Sequence, residues 1–184
     1  MMILVIGGSG SGKSDYAEEL VCSLATEERI AKYYLATMRI FDEEGRQKAE
    51  RHRARRSGKG FLTIEQPVRI ADALLRMERG KKVVLAECIS NLTANEMFSE
   101  SGVRTKEEVA EGILRDMERL RKKATHMVVV SNQIGEDGVV YEKTTMDYIE
   151  AVGKINRALA ARANRVVEMV AGIPVPIKKE GEGE

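Results

Sequence analysis

Eight residues near the start of the chain, Gly7 to Ser14, read GGSGSGKS and satisfy the pattern G-x-x-x-x-G-K-[ST]. That spacing suits a polyphosphate. Gly7, Gly8, Gly10 and Gly12, with Ser9 and Ser11 between them, let successive backbone N–H groups curl around phosphate oxygens. Lys13 reaches the outer phosphates, and Ser14 offers a hydroxyl to magnesium. The apolar run MILVIG precedes the loop and a helical pattern follows it, which is the context the motif requires, so the chain is read as holding a nucleoside triphosphate. Glu87, closing the run VVLAE, stands where proteins with such loops carry an acidic residue that helps hold the magnesium ion. An acid that merely ends a strand is the alternative. No N-K-x-D guanine-reading motif is present, which argues against a translational-type GTPase. A kinase, an ATPase and a nucleotidyltransferase all remain compatible with the loop.

A second stretch, RQKAERHRARRSGKG (Arg46 to Gly60), sets His52, one of 2 histidines in the chain, among arginines and lysines. With about 3.6 residues per turn, Lys48, His52, Arg55 and Arg56 lie along one side of a helix, and a Glu44/Lys48 pair supports that helix in water. Surrounding positive charge lowers a histidine's pKa, so the neutral, nucleophilic imidazole dominates at neutral pH. The same charges would hold a polyphosphate and stabilise the charge that builds on its equatorial oxygens during in-line attack. By composition alone, the ordinary reading of such a stretch is a solvated basic face. A nucleic-acid patch fits less well, because no aromatic residue interleaves the arginines and the net charge is only +1.

Positioning these groups requires strands that end in polar loops. Short β-rich runs alternate with longer helical ones: MILVIG, a helix from about Asp15 to Ala25, AKYYLAT, a charged helix through Arg56, and after Pro67 a helix to about Arg79. KVVLAEC, a helical region ending near Lys123, HMVVVSN, a helix around Met146 to Ala163 and RVVEMVAG complete the series. Strand–helix alternation with continuous apolar strands predicts an α/β chain with a mostly parallel sheet covered by helices on both faces. Ligands of such sheets bind beyond the carboxyl ends of the strands, where GGSGSGKS, TMRIFDEE, ECISN and SNQIGEDG fall.

With 184 residues, 43% of them hydrophobic, and no long low-complexity tract, a single domain over 1–178 is expected, followed by a charged, disordered tail at 179–184. Lys+Arg of 30 against Asp+Glu of 29 leaves no global field toward nucleic acid or a membrane surface, so any basic site is local. Cys22 and Cys88 share no metal-ligand spacing, which argues against a disulfide framework or a zinc site and for a reduced, cytoplasmic setting. No apolar run reaches signal-peptide or membrane length, so no stable membrane insertion is expected. His126, opening a strand, reads as a strand-edge histidine, and the methionines read as core filler. NLTANEMF, after Glu87, fits either a subunit or ligand contact or an ordinary buried helix.

Taken in order, MMILVIGGSGSGKSDYAEEL, YLATMRIFDEE, RHRARRSGKGFLTIEQP, VVLAECISNLTANEMF, VVVSNQIG and VGKINRALAARANRVVEMVAGIPVPIK resemble the bifunctional adenosylcobinamide kinase/adenosylcobinamide-phosphate guanylyltransferases of cobalamin biosynthesis. The likeness spans nearly the whole chain. Its most specific element is the histidine followed by a basic stretch and then T-x-E. The resemblance implies a P-loop NTPase fold of RecA-like type, GTP, ATP and Mg2+ as cofactors, and adenosylcobinamide and its phosphate as partners, with no nucleic acid. It further implies that His52 attacks the α-phosphorus of GTP, releasing pyrophosphate, and that the bound GMP then passes to adenosylcobinamide phosphate, giving adenosylcobinamide-GDP. The kinase half transfers a γ-phosphoryl group to the aminopropanol hydroxyl of adenosylcobinamide.

Carried over by position, the nucleotide contacts are Gly7 to Ser14, Ala36, Thr37 and Met38 after the second strand, Arg53, Ala54, Arg55 and Arg56 beside the histidine, and the acids Glu65 and Glu87. Ser14 and Glu87 would take the metal. A homotrimer is implied as well. Members of the family often have arginine where Gly10 sits, tryptophan where Phe61 sits, and a G-I-V-P stretch in place of GEDGVVYEKTTMDYIEAVG, departures that bear on the corrinoid and kinase acceptor. The rival readings are a simple P-loop kinase whose arginine helix is a lid with His52 incidental, and a nucleotide-dependent regulatory ATPase.

Overall fold

The computed structural model describes residues 1–26, 30–40, 43–99, 102–135, 137–179 and 181. Residues 180 and 182–184 of the expected tail lie outside this description, as do the side chains of Glu44, Lys48, Ala49, Arg51, His52 and Arg55.

β1 (Met2–Gly7) leads through the glycine-rich loop into α1 (Lys13–Leu24), and β2 (Ala31–Ala36) is followed by α2 (Glu43–Arg56) and β3 (Phe61–Glu65). A 3-10 segment (Ile70–Arg76) then precedes β4 (Lys82–Glu87), α3 (Ile89–Met97) and a small antiparallel pair, β5 (Phe98–Ser99) and β6 (Gly102–Val103). The chain continues through α4 (Lys106–Lys123), β7 (His126–Val130), α5 (Lys143–Arg162), β8 (Arg165–Val170) and β9 (Ile173–Lys178).

Seven strands form one sheet in the order β3-β2-β4-β7-β1-β8-β9, every pairing parallel except the last. Alternation along the strands divides the core between its faces. Leu4, Leu35, Val84 and Val129 point to the side covered by α3, α4 and α5, where they meet Leu92, Ile113 and Ile155. Ile3, Val5, Leu85 and Val128 point the other way, toward Ala17 and Val21 of α1. Burial on both faces explains why these strands read as continuous apolar runs. No helix among the described residues is long and apolar enough to cross a membrane.

Three features differ from the sequence expectation. β3 reads as no strand in the sequence, because as an edge strand it buries only Ile64 and so shows no apolar run. β9 carries Pro174 and Pro176, which an interior strand excludes, and it occupies the opposite edge of the sheet. The helix expected after Pro67 is a 3-10 segment with bonds from Asp72 N to Arg69 O (2.8 Å) and Met77 N to Leu74 O (3.3 Å). That tighter winding puts Ile70 and Ala73, three positions apart, both in the core.

Register aligns the strand ends that matter. Ala36 pairs with Glu65 on one side and Glu87 on the other, Glu87 pairs with Val130, and Val130 pairs with Val5 of β1, two residues short of Gly7. Each of the loops expected to carry chemistry therefore leaves the sheet at the same edge.

Residues 91–97 of NLTANEMF belong to the largely buried α3, while Phe98 is exposed and begins β5. Asn95 of that helix ties two of those loops together: Nδ2 donates to Thr37 O (2.7 Å) and to Pro67 O (3.0 Å). Asn95→Ala leaves both carbonyls without their donor, so urea unfolding should show a loss of about 1–3 kcal/mol. A change near zero would mean that water takes over both bonds.

Candidate active site

The loop after β1 owes its path to glycines where a side chain cannot go. A Cβ on Gly7, whose φ is +145°, would lie 2.5 Å from Met169 O, and Gly12, at φ +88°, is the left-handed residue from which α1 starts. Lys13, the first residue of α1, is only 7% exposed and its ammonium donates to Gly8 O. Burial lowers its pKa below the ordinary lysine value, with the Cys88 thiol and the Glu87 carboxylate opposing that shift. An incoming phosphate would supply negative charge that offsets the hydration lost on burial.

Glu87, at the end of β4, faces the loop across the sheet edge. The Ser14 hydroxyl donates to its Oε1, the Tyr34 phenol also bears on the carboxylate, and its buried Oε2 has no hydrogen-bond partner of good geometry among the described residues. A hydroxyl beside a carboxylate with a spare oxygen is an all-oxygen donor set of the kind a hard divalent cation takes, so these two residues fit magnesium. Beside them Tyr34 of β2 is buried, and burial first, then the Glu87 charge, pushes its phenol well above the usual range.

A cleft of about 950 Å3 opens over this edge. The phosphate loop from Ser9 to Ser14 forms its floor, Ala36, Met38, Glu65 and Glu87 line its sides, and two residues of α2, Arg53 and Arg56, reach it from above. Thr37 is buried instead: its Oγ1 donates to Cys88 O (2.8 Å) and its N–H to Glu87 O (2.9 Å), so it fixes the strand ends beside the cleft. Gly7 and Gly8 begin the loop beneath the cleft without lining it, and Ala54 is exposed on α2. The side chains of His52 and Arg55 are outside the description, but the backbone of His52 is in α2, adjacent to Arg53 and one turn before Arg56.

The two arginines are held in different ways. Arg53 is about half exposed, and its guanidinium pairs with the Glu65 carboxylate across the cleft mouth. Arg56 is 6% exposed, lies 3.5 Å above the Tyr34 ring, and faces Glu18 of α1 at 3.8 Å. Lys59, in the turn after α2, donates to the other oxygen of Glu18 at 2.6 Å, and that bond raises the lysine's pKa.

Glu18, Lys59 and Tyr34 were not singled out from the sequence. The available signal for Glu18 was helical spacing, since Lys13, Ala17, Glu18 and Val21 form the buried face of α1. Asn132 also escaped notice. It lines the cleft from beyond β7 and donates to Ser90 Oγ at 2.6 Å. Phe61, where tryptophan was the family expectation, is at the start of β3, away from the strand ends, and packs edge-on against Tyr34 with centroids 6.3 Å apart. Its place is under the Arg56 stack, and it does not line the cleft. Gly10 does line the cleft. His126 opens β7 at the end of the sheet opposite the cleft.

A protein-family model described as cobinamide kinase / cobinamide phosphate guanyltransferase matches residues 3–177. The chain is 32% identical over 180 residues to the bifunctional adenosylcobalamin biosynthesis protein CobP of Pseudomonas aeruginosa, a match covering 98% of this chain and 99% of that one. It is 30% identical over 187 residues to the bifunctional adenosylcobalamin biosynthesis protein CobU of Escherichia coli, covering 97% and 100%. Among solved structures, an ATPase domain superposes with a TM-score of 0.55 at 8% identity, covering 98% of this chain and 77% of that one, a likeness of fold alone. The fold is that of a P-loop NTPase.

The contrast between the arginines is measurable by urea unfolding. Arg53→Ala removes an exposed pair and should change stability by less than about 1 kcal/mol. Arg56→Ala removes one cation from a buried carboxylate that keeps only Lys59, and should cost about 2–4 kcal/mol. Equal losses in the two variants would contradict the difference in their anchoring.

Proposed function

The chain belongs to the cobinamide kinase / cobinamide phosphate guanyltransferase family, and from that premise we propose that it phosphorylates adenosylcobinamide and then guanylylates the product through His52. One observation carries the second step. Arg53 and Arg56, one residue and one turn after His52 on α2, line the same cleft as the phosphate loop, so the helix bearing the imidazole borders the place where a triphosphate would bind.

In the guanylylation half, the loop N–H groups and Lys13 bind the outer phosphates of GTP, leaving the α-phosphorus nearest α2. A neutral imidazole nitrogen of His52 attacks that phosphorus in line. The N–P bond forms as the bond to the bridging oxygen breaks, and pyrophosphate leaves with that electron pair. Arg53 and Arg56 stabilise the negative charge on the equatorial oxygens. A phosphate oxygen of adenosylcobinamide phosphate then attacks the guanylyl phosphorus, the N–P bond breaks, and His52 is returned free. Splitting the transfer in this way lets one cleft serve GTP and a bulky corrinoid in turn, and ping-pong kinetics follow.

In the kinase half, the acceptor hydroxyl attacks the γ-phosphorus of ATP or GTP held on the same loop. The new O–P bond forms as the bond to the β–γ bridging oxygen breaks, the nucleoside diphosphate leaves with that electron pair, the hydroxyl proton passes to solvent, and Lys13 meets the developing charge. Ser14 and Glu87 would hold magnesium, which when bound would neutralise phosphate charge. Glu65, paired with Arg53 when no nucleotide is bound, exchanges that partner for a nucleotide contact. The same reading makes the protein a cytoplasmic homotrimer, as the resemblance implies.

Incubation with magnesium and GTP labelled at the α-phosphate should leave acid-labile, alkali-stable label on the denatured protein, and His52→Ala should abolish it. Label on the variant equal to wild type would refute the mechanism. Label passing from the γ-position to adenosylcobinamide tests the kinase half; hydrolysis with no labelled acceptor would overturn it. Glu87→Gln keeps an oxygen for Ser14 but removes the charge. Magnesium-dependent binding of a fluorescent GTP analogue should therefore weaken by about tenfold or more, and unchanged binding would contradict the place given to Glu87.

A further inference from the structure

Glu18 is buried to 1% exposure on the helix whose first residue is Lys13, and its ion-pair partners lie outside the phosphate loop. Its carboxylate faces away from the loop, toward the end of α2. Oε2 accepts from Lys59 Nζ at 2.6 Å, and Oε1 lies 3.8 Å from Arg56 Nη1. Lys59 is itself bound to that helix end, its N–H donating to Arg56 O at 3.0 Å. The Tyr34 ring, 3.5 Å beneath the Arg56 guanidinium, closes the arrangement from the sheet side. One carboxylate thus joins the helix that starts at the phosphate loop to the helix that carries His52.

We propose that Glu18 is a positioning residue for guanylylation: by holding the end of α2 against α1, it sets the reach of His52 to the α-phosphorus of a nucleotide on the loop. This rests on the reading of His52 as the guanylylated residue. Stability alone gives weak reason for the charges, because apolar side chains of similar volume replace buried ion groups at little or no loss. Orientation gives a stronger one. A carboxylate between two cations has a preferred placement, which an apolar contact lacks, and in-line attack requires the reacting atoms within about 3–3.5 Å. Arg56 also lines the cleft, so the residue that Glu18 holds borders the nucleotide as well as α1.

The test uses the full-length protein with wild type, Glu18→Gln, Lys59→Gln and the double variant. For each, the rate of α-label incorporation is followed against GTP concentration, with a melting curve to establish folding. Glu18→Gln should label about 10- to 100-fold more slowly at saturating GTP, the loss expected of a misplaced reacting group. The GTP concentration giving half the maximal rate should stay close to wild type, because the loop and Lys13 are untouched. Lys59→Gln should show a smaller loss of the same kind, and the double variant no more than Glu18→Gln, since both act through one contact. Labelling at the wild-type rate, or rate and GTP affinity falling together, would overturn the proposal. If Glu18→Gln fails to fold, Lys59→Gln decides it alone, on a lysine that is 33% exposed: a wild-type rate there overturns it. Wild-type protein that takes no label removes the His52 reading and this proposal together, a failure visible before any substitution is compared.

Discussion

Two opposite charges are buried on one short helix, and burial dictates what must lie beside each of them. Lys13 at the start of α1 has lost water and regains the Gly8 carbonyl and the nearby Glu87 charge, which do not offset its burial, so a polyanion at the loop is its natural further counter-charge. Glu18, on the same buried face, has Lys59 and Arg56, and both come from the end of α2. A helix that had to bury only apolar residues would need neither neighbour. Because it buries these two charges, the phosphate loop at its start and the end of α2 beside its middle are both held against one short helix.

The sheet supplies the remaining alignment. Parallel pairing brings Glu65, Ala36, Glu87 and Val130 into one row, so acids and loops far apart in the chain share an edge. Asn95 and Thr37 tie the exits of β2, β3 and β4 to one another, and Ser14 meets Glu87 across the gap between β1 and β4. The kinase and guanyltransferase activities of the family both act on nucleotide phosphates, and this chain has a phosphate loop with an acid on one side and arginines on the other. In the proposed mechanism the two steps differ in which phosphorus is attacked, with α2 serving the inner one.

Much of this was legible in the residues. β1, β4 and β7 showed as apolar runs because helices cover both their faces, and GGSGSGKS carried its own context in the strand before it and the helix after it. What escaped was marginal or tertiary. β3 buries one side chain and β9 carries two prolines, so neither has a periodicity to read. Glu18 belongs to a charged pair of residues, Glu18 and Glu19, of which only Glu18 is buried, and its cations lie across the fold, where spacing along the chain gives no hint of them. The arginine run looked like a solvated face for the same reason: Arg53 and Arg56 differ little in sequence surroundings, but only Arg56 has an aromatic ring and a buried acid beneath it.

The claim that joins these parts is that α2 brings an imidazole to the α-phosphorus of a nucleotide on the loop, and locating the bond tests it most directly. Protein incubated with magnesium and GTP can be cleaved after glutamates under mild alkali, releasing residues 51–65 as one peptide bounded by Glu50 and Glu65. Mass spectrometry with fragmentation should then place a GMP adduct on His52 and nowhere else in that peptide. An adduct on Lys59, on a residue outside the peptide, or on no residue at all would contradict it.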